Sequence, residues 1–253
     1  MTKATLSADW LSNNRQSEEY YSTNNDVDRD LLIHYIRKSM LNSNYLCPVN
    51  KTMKNVLEIA YSSGFWMMEM ATDFPKIQFY GIDLESSAPD LVYPKNCFFG
   101  QGDYLKGLPY QSNFFDMVRL DMAHLRSLST LDQILLLLSE VFRVTKKGGY
   151  VEFLELDYNS PLLRKLMKFP VGDSPKIDEL LAERGFVNIT NKKVAIPLRK
   201  GSMVGEFSLA AIKSFVETIG SEEDYNDLLH IVEEESEKYD SHINVFAGFC
   251  QKL

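Results

Sequence analysis

The strongest constraint on the fold is the alternation of short apolar runs with helical segments between residues 55 and 156. Helices are predicted over 64–74, ended by Pro75, and over Leu131–Val144, broken by Gly148-Gly149. Five apolar runs are predicted to be buried strands: 55–61, 78–84, 97–100, 114–120 and 150–156. Strands and helices that alternate at this spacing form β-α-β units, which predicts an α/β protein with a mainly parallel, covered sheet.

Further elements are predicted on both sides of this stretch. Apolar residues at three- and four-residue spacing predict an amphipathic helix from Asp26 to about Met40. The other predicted elements are a helix over 173–184, a strand over 186–196, two helical stretches over 203–238 and a strand over 242–250. The last two strands fit an antiparallel hairpin at the sheet edge. Because no segment has the composition of a linker, we expect a flexible arm over 1–26 and one domain over 27–253, with 203–238 as a helical insert.

Composition excludes several classes of protein. The 253 residues carry a net charge of −8 from 27 basic and 35 acidic residues, which argues against a general nucleic-acid binder. No apolar run approaches the roughly 20 residues of a membrane span, and residues 1–30 lack the apolar core of a secretory signal. Cys47, Cys97 and Cys250 are few, odd in number and far apart, which indicates reduced thiols and no metal cluster. A cytoplasmic protein is expected, with the nucleus as an open alternative.

The residues that follow each predicted strand are the candidates for ligand binding, because ligands bind beyond the carboxyl ends of the strands in an open parallel sheet. Asp83 ends the second strand about twenty positions beyond the first strand-to-helix turn, where a carboxylate suits the two hydroxyls of a ribose. Asp103 follows the third strand and suits an exocyclic amine such as that of adenine. The fourth strand leads to His124, and the fifth carries Glu152, Glu155 and Asp157.

Five runs carry a resemblance that extends from about Asp26 to the C-terminus: VLEIAYSSGFWMMEMATDFP, FYGIDL, GDYLKGLPYQSNFFDMV, EVFRVTKKGGYVEFLELD and VFAGFCQK. On these runs the chain resembles the class I S-adenosylmethionine-dependent methyltransferases, in particular the fungal subgroup that includes regulators of secondary metabolism. The most specific part is LPYxxxxFD followed by RVxKxGGY. The resemblance implies a Rossmann-like, seven-stranded, mostly parallel sheet with an N-terminal helical lid and a helical insert before the last strand.

The same resemblance implies S-adenosylmethionine as cofactor and assigns its amino-acid end to the first turn. Glu58 would orient that turn and reach the methionine amino group through water. The residues Ala60, Tyr61, Ser62 and Gly64 would wrap the amino-acid end of the cofactor.

The nucleoside end is assigned to the next strand exits. The resemblance implies that Asp83 holds the ribose hydroxyls while Leu84 packs on the adenine. It also implies that Asp103 accepts the adenine amine with Tyr104 beside the ring, and that the backbone near Leu120 closes over the cofactor.

One departure from the family pattern affects the first turn. The family normally has Gly-x-Gly-x-Gly, whereas this chain has Ala60, Ser62 and Gly64 at the three positions. Glycine allows a positive φ and a close approach of the backbone to a ligand. A residue with a side chain in left-handed geometry costs roughly 1–2 kcal/mol, which is about a tenfold loss in binding per site.

Methyl transfer by in-line displacement requires mainly that donor and acceptor are aligned and that water is excluded. A base is needed only for an acceptor that is protonated at the working pH. His124 is the histidine predicted near this site and is the candidate base, the alternative being a histidine at the surface or at a helix start. No metal site is expected, because His34, His230 and His242 are scattered along the chain.

Three functions follow from these residues. The first is a methyltransferase acting on a small or medium organic acceptor, with no nucleic acid and no membrane as partner. The second is a catalytically inactive relative that serves as a binding or regulatory subunit, with a protein partner or self-association, and the altered turn motivates it. The third, a nicotinamide-dependent oxidoreductase, lacks the glycine spacing of dinucleotide-binding turns.

Overall fold

The computed structural model describes residues 24–84, 92–122, 125, 130–157, 176–219, 222–238 and 241–253. Within these residues the chain forms six α-helices: α1 (Asn24–Leu41), α2 (Phe65–Asp73), α3 (Leu131–Val144), α4 (Ile177–Glu183), α5 (Met203–Ile219) and α6 (Glu222–Glu237). The described residues also form seven β-strands: β1 (Asn55–Ile59), β2 (Gln78–Asp83), β3 (Cys97–Gln101), β4 (Phe115–Asp121), β5 (Thr145–Leu156), β6 (Phe186–Pro197) and β7 (His242–Lys252). A single 3₁₀ turn, Tyr104–Lys106, follows β3.

The strands form one seven-stranded sheet in the order β3-β2-β1-β4-β5-β7-β6. The pairs among β3, β2, β1, β4 and β5 are all parallel. The last two strands form an antiparallel hairpin, because Thr190 of β6 bonds Phe249 of β7, whereas Leu198, just after β6, bonds Ser241, just before β7. The predicted α/β class, the mostly parallel seven-stranded sheet and the helical insert between the last two strands are all confirmed.

Residues 43–155, 174–193 and 246–253 form one compact unit, called here the sheet unit. It contains a hydrophobic cluster on each face of the sheet, and the alternation along β1 shows this directly. Leu57 and Ile59 belong to the cluster that includes α3 and α4, whereas Val56 belongs to the cluster that includes α2. Nearly every residue of β1 and β4 is buried, as expected for central strands of a sheet covered on both faces.

The described residues of 1–42, 156–173 and 194–245 form a second compact unit, called here the helical unit. In it α1 packs against α5, and α5 packs against α6. Its own hydrophobic cluster consists of Leu198, Leu209, Leu228, Val232 and Ile243. Residues 1–23 of the predicted N-terminal arm lie outside the described residues. No helix in the described ranges has both the length and the apolar character needed to cross a membrane.

One predicted boundary is wrong. We expected Gly148-Gly149 to separate α3 from a strand that begins at Tyr150, but β5 begins at Thr145, directly after the helix. The glycines lie inside the strand, beside an irregularity in its pairing with β4. A Cβ on Gly149 would lie 2.9 Å from the carbonyl oxygen of Lys146 and 3.1 Å from that of Asp116, so close packing of backbone requires glycine here.

Candidate functional site

The carboxyl ends of β1, β2 and β3 bring the predicted cofactor residues to one edge of the sheet. Glu58 and Ile59 of β1 pair in register with Gly81 and Ile82 of β2, and Asp83 pairs with Gln101 of β3. The first turn therefore leaves β1 beside the end of β2, where Ala60 N–H donates to Ile82 O at 2.8 Å. Parallel pairing thus places the first turn, Asp83 and the segment that leads to Asp103 next to one another.

The first turn adopts left-handed backbone geometry at all three positions where the resemblance has glycine. The φ angles are 58° at Ala60, 53° at Ser62 and 72° at Gly64. A residue with a side chain at such an angle costs roughly 1–2 kcal/mol, so Ala60 and Ser62 carry conformational strain. The chain thus keeps the backbone path of a glycine-rich turn although two of its glycines have been replaced.

The side chains of Ala60 and Tyr61 are directed into the protein. Ala60 is 2% exposed and belongs to the hydrophobic cluster of α3. Tyr61 is also buried and lies against β2, because a Cβ on Gly81 would come within 2.6 Å of its ring. The Tyr61 ring packs at a tilt against that of Phe99, with centroids 5.1 Å apart. The side chains of Ala60 and Tyr61 are therefore no obstacle to a ligand at the carboxyl ends of the strands.

Ser62 and Gly64 connect the turn to the elements beside it. The backbone N–H of Ser62 donates to Asp83 Oδ2 at 2.9 Å, so the carboxylate at the end of β2 holds the middle of the turn. Gly64 begins α2 and is held by a bond from its N–H to Tyr61 O. A Cβ on Gly64 would lie 2.6 Å from the Phe99 ring, so packing and backbone angle both favour glycine. This is the motif glycine that the sequence retains.

The predicted nucleoside residues differ in their surroundings. Asp103 caps the 3₁₀ turn, with Oδ1 accepting the Leu105 N–H at 3.0 Å and Oδ2 lying 3.2 Å from Lys106 Nζ. Leu84 is half-buried, next to Asp83 at the end of β2. The side chains of Tyr104 and Leu120 are buried in the cluster of α3, so only their backbone groups are available at the edge.

A row of buried charges crosses the centre of the sheet, and the sequence interpretation missed its middle member. Register places Arg119 of β4 between Glu58 of β1 and Glu152 of β5. Arg119 Nε lies 3.7 Å from Glu58 Oε1, and both side chains are buried. Burial raises the pKa of Glu152, although the charge of Arg119 and three hydrogen bonds oppose the shift. An arginine inside the apolar run FDMVRLD was the sequence signal for this feature.

His124, the candidate base, lies outside the described residues. Asp121 ends β4 and is buried, and Glu155 Oε2 accepts the Ile177 N–H at 3.3 Å. No group of histidine, cysteine and carboxylate side chains in the described ranges has a metal-binding arrangement.

Cysteine chemistry receives no support from the geometry. Cys47, Cys97 and Cys250 are free and buried. Burial raises the pKa of the Cys97 and Cys250 thiols to about 12 and raises that of Cys47 further. All three are therefore protonated at neutral pH and are poor nucleophiles.

Comparison with known proteins agrees with this geometry. Residues 56–149 match the methyltransferase domain family, a range that runs from β1 into β5 and includes the first turn, Asp83 and Asp103. A curated relative, the secondary metabolism regulator laeA of Coprinopsis cinerea, is 32% identical over 107 residues. That alignment covers 42% of this chain and 25% of the relative, so the chain matches only a quarter of the relative's length.

Solved structures resemble most of the chain in fold. Phosphoethanolamine N-methyltransferase 2 of Haemonchus contortus, in complex with S-adenosyl-L-methionine, has a TM-score of 0.55 at 18% identity. That similarity covers 86% of this chain and 51% of the other. A SAM-dependent methyltransferase from Archaeoglobus fulgidus has a TM-score of 0.51 at 17% identity, over 97% of this chain and 100% of the other. Residues 56–149 thus match the methyltransferase domain family, and the chain shares the fold of these solved methyltransferases.

Proposed function

We propose that this protein binds S-adenosylmethionine at the carboxyl edge of β1, β2 and β3 and transfers its methyl group to a small or medium organic acceptor. The observation that carries the proposal is the positive φ of Ala60, Ser62 and Gly64. Strained backbone persists only where the surrounding structure holds it, and it is concentrated at functional sites. Because Ala60 and Tyr61 are buried in the protein, the turn keeps its path without placing those side chains in the cofactor's space.

The donor groups of this edge fit the chemistry of the cofactor. Asp83 has two carboxylate oxygens, one of which already accepts from Ser62 N–H, and a carboxylate can accept several hydrogen bonds at once. It is therefore suited to ribose hydroxyls, and Asp103 to the adenine amine. Leu84 offers an apolar side chain for the adenine face, and the backbones of Tyr104 and Leu120 line the same edge.

The bound cofactor would supply a methyl group on a positively charged sulfonium. The chain's task is to align that group with the acceptor and to exclude water. Carboxylates at the strand ends favour a cationic ligand, and Glu58 lies two residues before the turn that would contact the cofactor's amino-acid end. We assign His124 as the base that takes a proton from the acceptor where the acceptor is protonated.

A small acceptor is supported by one of the structural neighbours, whose name identifies it as a phosphoethanolamine N-methyltransferase. The negative charge of the chain disfavours nucleic acid as the acceptor. Three free, buried thiols suit a reducing compartment, so we place the protein in the cytoplasm. We further propose that residues 27–253 act together as the methyltransferase-like domain.

Calorimetry with S-adenosylhomocysteine, the demethylated product, tests this function. Asp83→Asn retains an oxygen for the Ser62 N–H but replaces the other acceptor with a donor. We expect binding to the unaltered protein and an affinity about tenfold lower in Asp83→Asn, the usual effect of one charge-assisted hydrogen bond. Asp73→Ala is the matched control, because Asp73 is an exposed carboxylate at the end of α2. The absence of both heat and a thermal shift at millimolar cofactor and product would contradict the proposal.

A further inference from the structure

A buried arginine on a central strand has no role in the site described so far. Arg119 lies on β4, is 5% exposed and is flanked in register by Glu58 and Glu152. In the part of the chain that the structure describes, its Nε and Nη1 atoms donate no hydrogen bond. Its charge therefore acts on the neighbouring carboxylates through space, and burial strengthens such an interaction by lowering the local dielectric constant.

Arg119 contacts both flanks of the first turn. Its Nε atom lies 3.7 Å from Glu58 Oε1, and Glu58 is two residues before Ala60. Its guanidinium carbon lies 4.3 Å from the centre of the Trp66 ring, and Trp66 is two residues after Gly64. The Arg119 guanidinium group thus makes an ion pair with a residue before the turn and a cation–π contact with a residue after it.

The surroundings hold this arrangement in place. Trp66 Nε1 donates to Asn44 O at 2.6 Å, which fixes the ring on which the guanidinium lies. Glu152 Oε2 accepts the backbone N–H of Leu46 and that of Cys47, the latter at 3.0 Å, and so fixes the second carboxylate beside Arg119. The guanidinium therefore lies against groups that are themselves held by hydrogen bonds.

We propose that Arg119 is a positioning residue that holds the two flanks of the first turn so that Ala60 and Ser62 remain at positive φ without the motif glycines. Two strained residues need surroundings that enforce their conformation, and Arg119 contacts the residues on either side of them. The inference rests on the proposed function, because the turn's task there is to bind the cofactor.

A double-mutant cycle tests the proposal. Arg119→Met is made in the natural sequence and in a background that carries Ala60→Gly and Ser62→Gly, and affinity for S-adenosylhomocysteine is measured by calorimetry. We expect Arg119→Met to weaken binding about tenfold in the natural turn but no more than about threefold in the glycine turn, since an unstrained turn needs no enforcement. Equal losses in both backgrounds, or no loss in either, would overturn the proposal.

The same four proteins are compared without ligand by amide hydrogen exchange. Ser62 N–H bonds to Asp83 Oδ2 and Gly64 N–H bonds to Tyr61 O, so both amides report whether the turn is formed. We expect about tenfold faster exchange in Arg119→Met and exchange near the natural rate when the glycines are also present. This measurement decides the proposal even if the natural protein binds no product, a result that would contradict the proposed function alone. Unchanged exchange in Arg119→Met would overturn it.

Two further variants separate positioning from general stability. Arg119→Lys keeps the charge but loses the planar face that lies on Trp66, so we expect an intermediate effect, and it replaces Arg119→Met if that variant fails to fold. Lys252→Met is the control for the loss of a buried cation, because Lys252 is 6% exposed and bonds Asn113, Phe142 and Thr145. We expect Lys252→Met to lower the melting temperature while the affinity and the exchange of the turn stay unchanged. A loss of affinity in Lys252→Met equal to that in Arg119→Met would also overturn the proposal.

Discussion

Ala60 makes one favourable and one unfavourable contribution to the free energy of folding. Its methyl group is buried in the cluster of α3, and burial of one such group stabilises by about 0.8 kcal/mol. Its φ of 58° costs roughly 1–2 kcal/mol relative to a right-handed or extended backbone. The two terms are of similar size and opposite sign, so the replacement of glycine by alanine here has a small net effect on folding.

Ala60→Gly is therefore expected to change the free energy of unfolding by less than about 1 kcal/mol, because relief of strain offsets the lost methyl group and the flexibility of glycine. Ala71→Gly is the matched control, since Ala71 is 1% exposed but lies within α2. We expect it to cost about 2 kcal/mol, from the lost methyl group and the low helix propensity of glycine. Urea denaturation measures both. Equal costs at the two positions would show that Ala60 carries no strain.

At this scale the sequence predicted which residues follow the strands but not which way their side chains are directed. Asp83 and Asp103 were predicted to lie just after strands, because strand exits follow from the alternation of elements, and the structure places them at the end of β2 and after β3. The direction of the Ala60 and Tyr61 side chains was not predictable, because it depends on space beside Gly81 and Phe99, residues 20 to 40 positions away. The importance of Arg119 was hidden for the same reason, since register between strands brings Glu58 and Glu152 to it.

The end of α3 forms a clamp on the loop that precedes β4. Arg143 donates to Leu108 O at 2.9 Å and to Tyr110 O at 2.6 Å, and Glu140 Oε2 accepts the Leu108 N–H at 2.8 Å. Glu140 and Arg143 also bond each other at 2.7 Å. These contacts join LPY to Arg143, the residue that begins RVxKxGGY, so the two halves of the most specific part of the sequence pattern are in contact.

The clamp predicts a pH-dependent stability. The hydrogen bond from Arg143 lowers the pKa of Glu140 below its usual value of 4.5, despite partial burial. A lowered folded-state pKa means that the stabilisation is present above pH 4.5 and is lost as the pH falls below it. Glu140→Gln should therefore cost about 1 kcal/mol at pH 7 and progressively less in acid. Denaturation curves from pH 7 to pH 3 measure this.

Glu183→Gln is the control for that prediction, because Glu183 is exposed at the end of α4. We expect no change from it at any pH. A difference between Glu140→Gln and the natural protein that persists undiminished at pH 3 would contradict an electrostatic clamp.

Helices and strands differed in how well the sequence predicted them. The prediction for α3 was correct at both ends, because Thr130 and Gln133 form a capping box and the apolar residues recur at helical spacing. The start of β5 was predicted five residues late, because glycine usually ends elements and here serves the close packing of Gly149 against backbone. A contact of that kind has no local sequence signature.

For the molecule as a whole, the last strand in the sequence is an inner strand of the sheet. β7 lies between β5 and β6, so the sheet is complete only when the C-terminal residues have folded into it. The sequence predicted that the last two strands form a hairpin at the edge of the sheet, and the strand order agrees. The sequence did not predict which of the two strands is the inner one, because that depends on pairing between β5 and β7, which are far apart in the chain. The residues of β7 are therefore expected to contribute more to stability than those of an edge strand.

Lys252 tests this expectation at the end of β7. Its ammonium donates to Asn113 Oδ1 at 2.9 Å, to Phe142 O at 2.6 Å and to Thr145 O at 2.8 Å, and so ties the last strand to the end of α3 and the start of β5. Lys252→Met keeps the apolar stem but leaves buried carbonyl oxygens without a donor, which should cost about 2–3 kcal/mol. Urea denaturation measures the loss, with Lys192→Met on the exposed side of β6 as the control. Since the whole sheet depends on β7, the loss should appear as a lower midpoint of a single transition. Equal stability of the two variants would show that the chain end contributes no more than a surface lysine.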